Sequence, residues 1–152
     1  MTDTSYDIRT LNGLITTTID SVDGYRAASQ DVEAGRFAAL FTDRANERAA
    51  VVEKLKAEVT RHSGNAEDDG SMLAGAHRAF MGLKEIVTGK DEQAIVNEVE
   101  RGEDVIKARY EKAMADTDVS PATKTLIADC YTSVKAGHDQ MRDLKHSLQA
   151  AS

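Results

Sequence analysis

Four stretches of this sequence repeat apolar residues at intervals of three and four, the period of one helix face. The first carries Ile8, Leu11, Ile15, Ile19 and Val22, and its stripe fades at Arg26, Ala27 and Ala28. The second carries Phe37, Phe41, Ala45, Val52, Leu55 and Val59. Val96, Val99, Ile106 and Tyr110 mark the third; Leu126, Cys130, Val134, Met141, Leu144 and Leu148 mark the fourth. No segment keeps the two-residue alternation of a half-buried strand. Helices striped on one side must bury those stripes against each other, so the chain is expected to be an all-α four-helix bundle.

Punctuation between the stripes sets the expected bounds. Helices are predicted over 5–30, 33–61, 91–115 and 121–149. Thr4 or Ser5 can cap the first, Asp91 the third, and Ser120 followed by Pro121 opens the fourth. Gly64, after His62 and Ser63, is the residue expected to turn left-handed where the second helix stops. The three consecutive threonines Thr16, Thr17 and Thr18 are poor helix formers that tertiary context has to override. The stretches "SQDVEAGR" and "DTDVSPATK" are short turns, so the first two and last two helices should be antiparallel hairpins. Between the hairpins lie the acidic loop "SGNAEDDG" and a shorter helix over 71–88, stopped by Gly89, with Leu73, His77, Phe80 and Met81 on its apolar side. One long helical crossover joining two hairpins is the ferritin-like connection.

Composition narrows the function classes. A chain of 152 residues suits a single domain over 1–152 with a real core. The net charge of −7 argues against nucleic acid and anionic membranes as partners. Cys130 is the only cysteine, which rules out an internal disulfide and a cysteine-built zinc cluster; it reads as a core residue. The N-terminal "MTDTSYDIRT" lacks the apolar run of a signal peptide, and no apolar run approaches a membrane span, so a cytoplasmic protein is expected.

The blocks "LNGLITTTIDSVDGYRAASQDV", "FTDRANERAAVVEKLKAEV", "GSMLAGAHRAFMGLKEIVTGKD", "ERGEDVIKARYEKAM" and "HDQMRDLK" resemble, in order and spacing, the bacterial ferritin-like four-helix family catalogued as domain of unknown function 2383. The likeness runs over roughly residues 11–145. It implies the bundle rather than an activity, and stress-associated roles are suggested among the wider group. Two functions follow as expectations. One is a non-enzymatic, stress-associated bundle acting through self-association or a protein partner. The alternative is a metal-binding ferritin-like oxidoreductase or metal-storage protein, with iron or another divalent metal, built on a reduced carboxylate and histidine site.

A ferritin-like di-iron centre requires a carboxylate from each of two helices and Glu-x-x-His from each of the other two. Three residues after Glu47 stands Ala50, not histidine, and the last helix has no Glu-x-x-His in its middle. A weaker mixed site could draw on Asp20, Glu47, Glu103 and His138. Against it stands a purely structural reading. Glu103 lies on the apolar face between Val99 and Ile106, and a buried acid in a bundle is usually paired with an arginine. The expected polar layer is Asp23, Arg48, Glu103 and Tyr110, with Arg48 holding Glu103. Tyr25 and Tyr110 are expected at the core edge with hydroxyls reaching polar partners. His77 reads as a packed histidine. Gly102, inside the third helix, calls for a close approach by the crossover helix, a ligand or a kink.

Overall fold

The structure, a computed structural model, describes residues 4–30, 32–66 and 92–151. Within them the four stripes are four helices: α1 (Ser5–Ser29), α2 (Ala38–Arg61), α3 (Glu92–Ala115) and α4 (Pro121–Ala151). A 3-10 segment, Val32–Phe37, precedes α2. The helix expected over 71–88, with His77 and Gly89, lies outside the described residues, as does the Asp91 cap. No helix among the described residues is long and apolar enough to cross a membrane.

Side-chain contacts fix the helix directions. Arg36, just before α2, meets Glu92 at the start of α3 at 3.3 Å, so α2 and α3 start at the same end. The Ser120 hydroxyl, at the start of α4, donates to Asp7, at the start of α1, at 2.6 Å. Arg44 reaches Gln140 while Lys54 reaches Asp129, so α2 and α4 are antiparallel. The packed neighbours are α1 with α2, α3 with α4, α1 with α3, and α2 with α4. Neighbours are therefore antiparallel and diagonals parallel. α2 therefore ends, and α3 begins, at opposite ends of the bundle, a separation of roughly 36 Å for a 24-residue helix. That is the ferritin-like topology.

Among the described residues the core is two apolar clusters with a polar layer between them. One holds Leu11, Ile15, Val22, Val52, Leu55, Ile106, Tyr110, Ile127, Cys130 and Val134. The other holds Tyr25, Phe41, Ala45, Ile95, Val96, Val99 and Met141. Burial pushes the Cys130 thiol up to about 11, which makes it an inert packing residue. The threonines are held by the helix itself: Thr17 donates to the Gly13 carbonyl at 3.1 Å and Thr18 to the Leu14 carbonyl at 2.6 Å.

α4 runs two residues beyond its expected end, and α2 departs from expectation at its start and in the turn that closes it. α2 begins at Ala38, five residues later than predicted, because Gly35 at φ 32° and ψ −99° breaks the run. At the other end of α2 the left-handed residue is Ser63, φ 63°, and not Gly64. The Gly64 N–H bonds the Val59 carbonyl at 2.9 Å and the Ser63 N–H bonds that of Thr60 at 2.9 Å, a Schellman close. Gly64 is needed for space instead, since a Cβ there would lie 3.0 Å from Ile8 Cδ1.

Candidate metal site

The polar layer is centred on Arg48. Its place between Ala45 and Val52 on the inner stripe of α2 leaves the guanidinium no route to water, and it is 0% exposed. Each of the other three helices answers it. From α3, Glu103, also fully buried, accepts from Nη1 at 2.8 Å and from Nη2 at 2.5 Å, a two-point pairing. From α1, the Ser21 hydroxyl accepts from Nη1 at 2.7 Å. From α4, the Val134 carbonyl accepts from Nη2 at 3.3 Å. Gly137 makes the room: a Cβ there would stand 2.4 Å from Arg48 Nη2 and 3.2 Å from Glu103 Oε2. The Tyr25 ring lies against the guanidinium, its centroid 5.6 Å from Cζ. Burial would lower the Arg48 pKa, but the charge of Glu103 outweighs it and the net shift is upward.

On the flank of this layer α3 and α4 bring together a different set. Glu100 and Asp104, one turn apart on α3, face His138 on α4, and one donor atom from each lies within 4.8 Å of the others. Glu100 and His138 are 7% and 8% exposed, while Asp104 faces solvent. His138 Nε2 is 2.7 Å from Asp104 Oδ1, and Nδ1 is 3.1 Å from Asp139 Oδ1. Lys135 first, and then His138, hold the Asp139 carboxyl down to about 2, so it is a carboxylate that can fix the imidazole by its Nδ1 side. Lys145, two turns further along α4, reaches back to Glu100 Oε2 at 3.1 Å.

The mixed site drawn from Asp20, Glu47, Glu103 and His138 does not assemble. Glu47, next to Arg48 in sequence, falls about 100° around the helix, onto the outer face. There it accepts from Arg44 at 2.8 Å and is bonded by Ser133. Glu103 faces Arg48, His138 faces Asp104, and Asp20 is buried on α1. Asp23 is exposed and lies outside the polar layer, where Ser21 stands instead. Tyr110 is fully buried, not at the core edge, and its hydroxyl meets Thr18 Oγ1 at 2.7 Å. Tyr25 is also fully buried; its hydroxyl makes no hydrogen bond of normal geometry, and burial, then the Glu103 charge, push its pKa well above the ordinary tyrosine value. Gly102 is buried on α3.

Mid-bundle is where a ferritin-like dimetal centre would sit, and these residues do not fit one. A cationic guanidinium already occupies the space between the helices and takes both oxygens of Glu103. The flanking Glu100–Asp104–His138 set is different in kind, with one imidazole nitrogen, two carboxylates and a solvent-facing side.

Asp104 carried no distinguishing mark in the sequence. Glu-x-x-His reasoning looks along one helix, whereas this set is split between two. The α3–α4 register brings it together: Tyr131 lies against Glu111, and seven residues on, His138 lies against Asp104, seven residues back.

No curated protein and no solved structure matches the chain significantly. One family model, described as a domain of unknown function (DUF2383), matches residues 7–116, which takes in α1 to α3 and stops short of the helix that carries His138. With that match over more than half of its length, the chain belongs to the DUF2383 family.

Proposed function

We propose that this bundle binds one divalent first-row metal ion at Glu100, Asp104 and His138. The observation that carries the reading is the convergence of three ligands, two carboxylates and an imidazole, from two helices, with the histidine oriented from behind by Asp139. Imidazole suits iron, zinc and nickel, carboxylates suit manganese and magnesium, and the mixed set favours Mn²⁺, Fe²⁺ or Zn²⁺ over calcium or a soft ion. Bound there, the ion would supply a concentrated positive charge with positions left for water on the Asp104 side. The function is metal binding at a mononuclear site in place of a di-iron reaction.

Calorimetric titration of chelator-stripped protein with Mn²⁺ and Zn²⁺ tests this. One ion per chain is expected, with affinity reduced at least about tenfold in His138→Ala and in Asp104→Asn, the loss that follows from removing one of three ligands. Glu47→Gln should titrate like the wild type. Two ions per chain, binding untouched by the His138 and Asp104 substitutions, or no binding at millimolar ion would each overturn the reading.

A further inference from the structure

The metal cluster has an ammonium already in place. Lys145 Nζ lies 3.1 Å from Glu100 Oε2, and the Glu100 side chain is only 10% exposed. A carboxylate so withdrawn from water needs a counter-charge, and without an ion Lys145 supplies it. A divalent ion drawing on the same carboxylate would stand within a few ångströms of that ammonium, where like charges repel. Lys145 can leave: its side chain is 30% exposed and its flexible stem can carry the ammonium into water. His138 Nε2 and Asp104 Oδ1 are bonded to each other, a contact that an ion would also replace, so the cation it has to displace is the one at Glu100.

We infer that Lys145 is a built-in competitor for the metal, neutralising Glu100 in the empty site and withdrawing when an ion binds. This rests on the metal reading above. It makes the site exchangeable: each binding event breaks an existing ion pair, which weakens affinity and eases release. It also gives the site a preference for divalent ions, since a monovalent ion replaces one unit of positive charge with no more than another.

The consequence is a pair of effects with opposite signs. Removing the Lys145 charge should destabilise the empty protein, because Glu100 is left buried and unpaired, yet tighten metal binding. A purely structural lysine would give only the first effect. Mn²⁺ titration of the full chain would compare wild type, Lys145→Gln, Lys145→Arg and Lys54→Gln. Lys54 pairs with Asp129, nine residues before His138 on α4, so its loss makes the same change in net charge about 13 Å along the helix from the site. Lys145→Gln should bind Mn²⁺ about tenfold more tightly. Lys145→Arg and Lys54→Gln should stay within about twofold of wild type. In chelator, the Lys145→Gln unfolding midpoint should fall below that of wild type, and saturating Mn²⁺ should narrow or reverse the gap. Equal or weaker binding by Lys145→Gln, with wild type still taking one ion, would overturn the competitor role and leave the metal reading standing. Equal tightening by Lys54→Gln would reduce the effect to bulk charge and overturn it too. Failure of both wild type and Lys145→Gln to bind would remove the site itself.

Discussion

At the scale of single residues, the contrast between two glutamates measures what burial does to an ion pair. Glu103 meets Arg48 with both side chains 0% exposed, whereas Glu92 meets Arg36 with 34% and 63% of their side chains exposed. Removing the Glu103 charge leaves a guanidinium in the core that cannot be rehydrated, so Glu103→Gln should cost about 3 kcal/mol. Glu92→Gln should cost under about 0.5 kcal/mol, since water already screens that pair. Denaturant melts of the two variants check this, and comparable losses would mean that water reaches the core pair. Asp7 carries a different sensitivity. It is 2% exposed and accepts from the Ser120 N–H at 3.0 Å, the Ser120 hydroxyl at 2.6 Å and Thr123 Oγ1 at 2.9 Å. Burial alone would raise its pKa, but these donors outweigh burial and hold it below the ordinary 3.8. A carboxyl depressed on folding stabilises the protein fully above its unfolded value, and that contribution is lost as pH falls through the lower folded value. Stability should therefore drop through and below about pH 3.8, and Asp7→Asn should shrink that part of the acid limb. An unchanged slope in acid melts of Asp7→Asn would exclude Asp7 as a source.

At the scale of elements, helix existence was legible and helix endings were only partly so. Apolar stripes are long-range patterns that survive local exceptions, which is why Thr16 to Thr18 did not break α1. An ending depends on one residue's backbone conformation. Gly64 looked like the residue to turn left-handed, yet Ser63 does so and Gly64 is kept small by Ile8 and Val59. Glycine preference for positive φ competes here with a steric demand one residue later, and sequence alone does not rank the two. The geometry makes a prediction of its own. Ser63→Gly removes the side-chain penalty of the left-handed conformation and should raise stability by about 0.5–1 kcal/mol. Gly64→Ala, crowding Ile8, should lower it. Thermal melts of both variants decide, and a loss on Ser63→Gly would mean that chain entropy in the unfolded state exceeds the strain relieved. Partner choice between helices was harder still to read. Glu103 announces its inward position by spacing on α3, but Asp104 and His138 meet only through the α3–α4 register, which a five-residue turn does not reveal. The contribution of Gly137 was equally hidden, because its role is the space that it leaves for an arginine from another helix.

At the scale of the whole molecule, Arg48 joins α2 to Ser21 on α1, Glu103 on α3 and the Val134 carbonyl on α4, in a layer between two apolar clusters. A metal centre could tie four helices in the same way, but here the tie is made of protein atoms. The bundle should therefore keep its helical circular dichroism and its cooperative unfolding in chelator, with metal adding stability only by mass action at the flanking site. The tie also has a cost, since both charges leave water when the helices pack. If its main role is to hold one register among the helices, replacing the whole pair should be tolerated far better than breaking it. The double variant Arg48→Met, Glu103→Leu substitutes apolar side chains of broadly similar length, while each single substitution strands one charge. Measured in chelator, the double variant should lose less stability than the two single losses added together, with a coupling of about 2 kcal/mol. It should still place His138 against Asp104 and Glu100, because the apolar clusters on either side fix the same register. Mn²⁺ binding by the double variant would then stay close to wild type. A folded double variant that had lost Mn²⁺ binding, with wild type retaining it, would show that the ion pair positions the flanking ligands. Additive single losses would mean that Arg48 and Glu103 stabilise the bundle independently, each through its own contacts.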